Sequence, residues 1–270
     1  MNSLLKMPWA GILAALAAVL FTAVQPPRFL VLAATQPEKV TVTVPVLVTE
    51  PLGRIVAQLQ KEHFKLYEDQ IEQEITGFND ESGESILVVV NGETQDPTTE
   101  RVVYALRAHS LASDEFEVVR LNAGTGLKDG LLTAIERSRS LRNARRAIVI
   151  VSLGSDTPVY SQQETKATAE STDVPIFALS TAANTAIKPS LDDLARLTGG
   201  RHYVINNASD LDEPAVKINA AIQNSYLLTY ESANMARDGR YRQIRVRVVP
   251  PVGLPPFSVS HRDGYFAPKS

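Results

Sequence analysis

Few residues of this 270-residue chain have the types and the spacing that catalysis requires. Ser152, Ser155 and Asp156 lie close together and would suit a hydrolase, but the chain has no G-x-S-x-G motif and no histidine in a nearby loop. It also has no cysteine, which excludes thiol nucleophiles, disulfides and thiolate-bound metals. His202 lies in a predicted strand, where we expect it to pack rather than to act in catalysis. The sequence therefore predicts a protein that is not an enzyme.

A glycine-rich stretch is the second candidate for chemistry. Gly124-Thr125-Gly126 lies between a predicted strand and a predicted helix, where backbone amides can bind phosphate. The full dinucleotide-binding fingerprint is missing, and the four histidines lack the spacing of zinc ligands. We therefore expect no nucleotide and no other cofactor. With 27 basic against 30 acidic residues, the net charge of −3 also excludes an overall basic surface for nucleic acid.

Residues 1–34 are predicted to be a targeting segment rather than part of the fold. Lys6 precedes an uncharged run over residues 7–25, and a second apolar stretch ends in small residues near Ala34. This pattern is typical of a cleaved secretory signal peptide. The run is just long enough to span a bilayer, so an uncleaved anchor is the alternative. We expect an exported protein, periplasmic, extracellular or in the cell envelope, that contacts the membrane only if this segment is retained.

The middle of the chain, residues 84–225, alternates predicted strands with predicted helices. Residues 86–90 and 147–151 are continuous apolar runs, typical of strands that are covered on both faces. Leu127 and Ile135 mark one face of a helix between them. Strands that alternate with helices in this way predict an α/β fold, a parallel sheet with helices on both faces.

The two ends of the mature chain, residues 38–78 and 226–270, are predicted to be β structure. Val and Thr alternate over residues 40–48, and strands are also predicted over residues 64–67 and 74–78, around a polar turn at 68–70. Both ends are too short to be stable alone, so we expect them to pair into one small β subdomain.

A set of arginines lies near the C-terminus. We expect these side chains to form the solvent face of a β ribbon, and contact with a polyanion or a glycan is the less favoured interpretation. The set comprises Arg237, Arg240, Arg242, Arg245 and Arg247.

Several short stretches resemble the motifs of one family. Residues 63–75, followed by Phe78, resemble the opening motif of bacterial secreted von Willebrand factor A-related proteins, and residues 194–201 also match. The chain ends as that family does, at residues 224–230, 238–242 and 262–266. The resemblance covers essentially the whole mature chain in the family's order. It implies a von Willebrand A-like, Rossmann-like parallel sheet with a β subdomain beside it.

The resemblance also implies a position for a functional site. Domains of this family typically bind a divalent cation at the carboxyl ends of the strands, through an Asp and two Ser on one loop, a Thr on a second and an Asp on a third. Such oxygen ligands suit magnesium. The corresponding residues here are Asn91, Glu93, Gln95, Thr125 and Leu153.

Only one of these five residues, Thr125, keeps the ligand type, although Glu93 and the nearby Asp156 offer carboxylates. The resemblance thus implies a degenerate metal-ion-dependent adhesion site. We expect these loops to form a partner-binding face and to hold no cation, and retained binding of a divalent cation is the less favoured alternative.

The function expected from these features is that of an exported, non-enzymatic protein–protein interaction module with a protein partner of unknown identity. The alternative is a structural component of a larger envelope assembly, in which the ancestral site is inert.

Overall fold

The structure is a computed structural model that describes residues 39–78, 83–91, 97–110, 113–121, 126–153, 161–183, 185–206, 210 and 212–269. The predicted targeting segment, residues 1–34, lies outside this described part. No helix among the described residues is long and apolar enough to cross a membrane.

A five-stranded parallel sheet forms the centre of the α/β part. Its strands lie in the order β6-β5-β7-β8-β9, and each neighbouring pair is parallel. They are β5 (Glu84–Asn91), β6 (Glu115–Arg120), β7 (Arg145–Ser152), β8 (Ile176–Thr181) and β9 (His202–Ile205).

Helices cover both faces of this sheet. Successive residues of the central strands point to opposite sides, so each strand contributes apolar side chains to two cores. Val88 and Val90 of β5 pack in the core that α1 and α5 cover, whereas Leu87 and Val89 pack in the core that α2, α3 and α4 cover. The fold class predicted from the sequence is therefore confirmed. The helices are α1 (Pro97–Ala108), α2 (Leu127–Ser138), α3 (Gln162–Glu170), α4 (Lys188–Thr198) and α5 (Asp212–Gln223).

The two ends of the described chain form a β sandwich. One sheet has the order β12-β1-β10-β4 and the other β13-β11-β2-β3. Their inner faces share one apolar core, to which Val44 and Leu228 contribute from the first sheet and Leu66 and Val246 from the second. The strands are β1 (Thr41–Thr49), β2 (Phe64–Glu68), β3 (Ile71–Gln73), β4 (Ile75–Phe78), β10 (Tyr226–Glu231), β11 (Tyr241–Val248), β12 (Ser258–Ser260) and β13 (Gly264–Phe266).

Two details of this β structure differ from the sequence prediction. The turn after β2 is Asp69-Gln70, and it leads into the short strand β3, whereas β4 pairs with β10 in the other sheet. Glu68, predicted to lie in the turn, is the last residue of β2 and is buried. Asp69 and Gln70 both have positive φ angles, 47° and 71°, so the chain reverses sharply there and Glu68 stays in the strand.

The prediction that the C-terminal arginines face solvent is wrong for Arg242. Arg245 and Arg247 are exposed, but Arg242 is 2% exposed and pairs with Glu68. The physical reason is the alternation of the strand, which places Arg242 on the same side as Ile244 and Val246.

The α/β part is inserted between β4 and β10 of the sandwich and packs closely against it. Gly199 ends α4 with a φ of +85°, and a Cβ atom there would lie 2.7 Å from the carbonyl carbon of His261. The backbone amide of Asp263 donates to the carbonyl oxygen of Leu197 at 3.1 Å. Only glycine satisfies both the left-handed backbone and this close approach.

Candidate functional site

The predicted site lies where the parallel strands end. Asn91 is the last residue of β5 and pairs with Ser152, the last residue of β7, so the loops that follow these strands begin side by side. Of the predicted site residues, Glu93, Gln95, Thr125 and Asp156 lie outside the described residues, as does the side chain of Asn91.

Leu153 is the one predicted site residue whose side chain is described. It is partly buried and packs against the apolar core on the α1 and α5 side of the sheet. Its carbonyl oxygen accepts a hydrogen bond from Oγ1 of Thr181 at 3.4 Å. The side chain at this position therefore contributes apolar packing and offers no oxygen to a cation.

Two observations on the described residues bear on cation binding at this edge of the sheet. At the position where the domains that the sequence resembles have an anionic ligand on their third loop, this chain has Leu153, a hydrocarbon side chain that lies against the core. Among the described residues, no three Asp, Glu, His or Cys side chains lie close enough together to hold a metal.

The first turns of α2 and α3 are joined beside this edge of the sheet. Ser161 caps α3 by accepting from the amide of Glu164, and the Glu164 carboxylate in turn accepts from the amide of Ser161. Lys128 of α2 donates to the same carboxylate at 2.8 Å. The hydrogen bonds from Lys128 and Ser161 lower the pKa of Glu164 to about 2. Because Glu164 is fully engaged, this acid is a structural tie between two helices rather than a free metal ligand.

Sequence analysis missed a chain of hydrogen bonds through His202. Oγ of Ser180 lies 2.9 Å from Nε2 of His202, and Oδ1 of Asp192 lies 2.7 Å from Nδ1. Because a carboxylate only accepts, Nδ1 carries the proton and Nε2 accepts from the Ser180 hydroxyl. Burial lowers the pKa of His202, which favours this neutral ring.

These hydrogen bonds join a serine, a histidine and an aspartate in the order found in a catalytic triad, but the serine is not accessible to a substrate. Ser180 has no exposed surface and the His202 side chain is 1% exposed, so no substrate can reach the hydroxyl. The three residues come from β8, α4 and β9, and their hydrogen bonds hold α4 against the sheet. In the sequence, only His202 itself pointed to this set of hydrogen bonds, because the spacings from His202 to Ser180 and to Asp192 match no recognised motif.

Comparison with known proteins gives a likeness in fold only. No protein-family profile matches the chain, and no curated protein matches it. A solved structure described as von Willebrand factor type A from Catenulispora acidiphila is similar, with 8% sequence identity and a TM-score of 0.43. The match covers 85% of this chain and 75% of that one.

Proposed function

We propose that this protein is an exported, non-enzymatic protein–protein interaction module, and that it binds its partner through the loops that follow β5, β6 and β7. These loops carry Asn91, Glu93, Gln95, Thr125, Leu153 and Asp156. The observation that carries the proposal is the parallel arrangement of β5 and β7, which starts two of these loops next to each other on a rigid sheet.

The packing of the scaffold behind these loops is consistent with a role in recognition. The central strands are buried on both faces, and the Lys128–Glu164 ion pair ties two helices at their first turns. Such a frame fixes the positions at which the loops begin, which is what recognition by loops requires. Ser180 and the side chain of His202 are buried, which argues against the use of Ser180 as a nucleophile.

Binding in this proposal does not need a cation. Leu153 packs against the core where the family's anionic ligand would be, so the partner contacts side chains of the loops directly. Export is proposed from the sequence of residues 1–34, and N-terminal sequencing of the protein isolated from its native cell would test it. A mature N-terminus near residue 35 is expected, and an intact Met1 would contradict cleavage.

Photo-crosslinking tests the binding face. A photoreactive amino acid at Gln95 is expected to crosslink a defined envelope protein, and the yield is expected to be unchanged by EDTA. The matched control carries the same amino acid at Tyr104, which is 75% exposed on α1 and is expected to give no such product.

Alanine variants then measure the contribution of the loops. The combined substitution of Asn91, Glu93 and Thr125 by alanine is expected to reduce crosslinking from Gln95 by at least about tenfold, as for residues at the centre of an interface. Equal yields from Gln95 and Tyr104, or no loss in the alanine variant, would reject the proposal. Those results would favour the alternative, an inert site in a larger assembly.

A further inference from the structure

Exposed aliphatic side chains collect at one end of the β sandwich. Leu52 is 87% exposed, Val252 is fully exposed, and Val249 and Leu254 are each 51% exposed. Single exposed aliphatic residues are ordinary, but a group of four in two neighbouring loops is not.

The strand pairing places both loops at the same end. Thr49, the last residue of β1, pairs with Ser258, the first residue of β12, and the two strands are antiparallel. The loop that carries Leu52 therefore leaves β1 where the loop that carries Val252 enters β12.

Each loop presents its aliphatic side chain on a short, defined turn. The amide of Gly53 donates to the carbonyl oxygen of Glu50 at 2.8 Å, and the amide of Leu254 donates to that of Pro251 at 3.1 Å. Gly53 and Gly253 have φ angles of +80° and +91°, and a Cβ built on either would meet no atom within 4 Å. The two turns are thus convex, open on their outer side and already formed in the free protein.

A row of basic residues runs toward these turns along the outer face of β11. Arg245 and Arg247 point outward, and Val249 continues the same row at the end of the strand. Lys65 lies opposite Arg247 on β2. Neither arginine is paired with a carboxylate among the residues described here, whereas Lys65 is 3.4 Å from Glu72 and Arg54 is 2.6 Å from Glu50. The face is therefore positive, although the whole chain has a charge of −3.

The spacing along β11 separates apolar and basic groups by depth. At about 3.4 Å per residue, Arg247 lies about 7 Å and Arg245 about 14 Å behind Val249. Aliphatic side chains that enter the boundary between headgroups and acyl chains do so to a depth of about 5–10 Å. With β11 upright on the bilayer, Arg247 would then lie at the level of the lipid phosphates and Arg245 about 7 Å outside it, still within a Debye length of the anionic surface.

We propose that this end of the sandwich, the turn-tip surface formed by Leu52, Val249, Val252 and Leu254 with Arg245 and Arg247, docks on an anionic lipid bilayer. The convex shape favours a bilayer over a protein, because separate projecting tips need matching pockets in a protein but none in a lipid interface. Charge complementarity favours anionic headgroups. This contact is independent of the N-terminal segment and of the loops after β5, β6 and β7.

A local fluorescent probe tests the proposal in the full chain. Because the chain has no cysteine, Val252→Cys creates a single labelling site for an environment-sensitive dye. Vesicles of phosphatidylcholine and phosphatidylglycerol are expected to shift the emission to shorter wavelength, and brominated lipids are expected to quench it. The matched control is Val216→Cys on α5, 44% exposed, whose dye is expected not to respond.

Three further variants assign the contributions. In the labelled chain, Leu52→Ser is expected to weaken vesicle binding by about tenfold, and Arg245→Gln and Arg247→Gln by about fivefold each. Vesicles of phosphatidylcholine alone are expected to bind more weakly. No emission change at Val252 overturns the proposal even if the N-terminal segment attaches the chain to vesicles. A change produced by envelope proteins but not by vesicles also overturns it and assigns the surface to a protein.

Discussion

Glu68 and Arg242 face each other inside the β sandwich, with Oε1 of Glu68 3.3 Å from Nη1 of Arg242 and 2% of each side chain exposed. Tyr230 and Tyr265 donate their hydroxyls to Oε2 of Glu68 at 2.7 and 2.8 Å, and Ser232 donates to Oε1 at 2.7 Å. These residues come from both sheets, so one buried carboxylate joins the two layers of the sandwich.

We predict that Glu68→Gln destabilises the protein by about 3–5 kcal/mol, because it leaves the Arg242 guanidinium buried without a counter-charge. The shape of the side chain is nearly unchanged, so the loss reports the missing charge and the hydrogen bonds that an amide nitrogen cannot accept, rather than packing. The urea midpoint measures it. Arg245→Gln, on the solvent side of the same strand, serves as the control and is expected to change stability by less than about 0.5 kcal/mol. Equal stability of Glu68→Gln and the wild type would contradict the prediction.

Gly200 should tolerate no side chain. A Cβ atom there would lie 2.0 Å from the carbonyl oxygen of Ile176, which belongs to the backbone of β8 and cannot rotate away. We expect Gly200→Ala to cost at least about 2 kcal/mol in the free energy of unfolding. Gly126→Ala, where a Cβ meets nothing within 4 Å, is expected to cost less than about 1 kcal/mol. Comparable thermal midpoints for the two variants would show that β8 can shift to make room.

Glu84 should make stability depend on pH near neutrality. Burial, with a contribution from Asp114, raises its pKa to about 7 from 4.5. Since the folded protein keeps a proton that the unfolded chain has lost, this contribution is present below pH 4.5 and is lost as the pH rises through 7. The slope is at most about 1.4 kcal/mol per pH unit.

Glu84→Gln is expected to remove that slope. Burial lowers the pKa values of His202 and His261, so their contributions are present above pH 6.5 and are lost as the pH falls. The difference in unfolding free energy between the wild type and Glu84→Gln cancels these histidines. Glu136→Gln, at a side chain 73% exposed, is the control and should leave the pH profile unchanged. If the unfolding free energy of Glu84→Gln changed with pH in parallel with that of the wild type, the slope could not be assigned to Glu84.

Magnesium, manganese and EDTA are expected to leave thermal unfolding unchanged. A site with micromolar affinity would add about 4 kcal/mol at millimolar ion, which raises the midpoint by several degrees. The side chain of Leu153 provides no oxygen for such a site. Stabilisation by magnesium that disappears in Glu93→Ala or Asp156→Ala would instead mean that these two carboxylates rebuild a cation site.

The buried strands and their helices could be predicted from the sequence because their signals are local. The apolar runs at 86–90 and 147–151 lie in β5 and β7, and Leu127 and Ile135, predicted to mark one face of a helix, lie in α2. A strand covered on both faces needs a continuous apolar run, and this requirement is visible in a single stretch of sequence.

The buried polar groups could not be found in this way, because their partners are distant in the chain. Glu68 and Arg242 are 174 residues apart, and each looks like a surface residue when taken alone. The alternation that places Arg245 outward does place Arg242 inward, but an inward arginine is credible only once its carboxylate is known. His202 likewise receives its partners from a neighbouring strand and a helix.

The insertion of the α/β part into the sandwich sets the order in which the chain can fold during synthesis. Thr43 and Thr229 are paired neighbours on β1 and β10, yet 186 residues separate them. At ribosomal speeds, β1 waits roughly 10–40 s before β10 exists. The strands of the parallel sheet follow one another much sooner, so we expect the insert to fold first and the sandwich to close last. Until then β1 is an unpaired, valine-rich edge, and a chaperone that shields it would protect the nascent protein from aggregation.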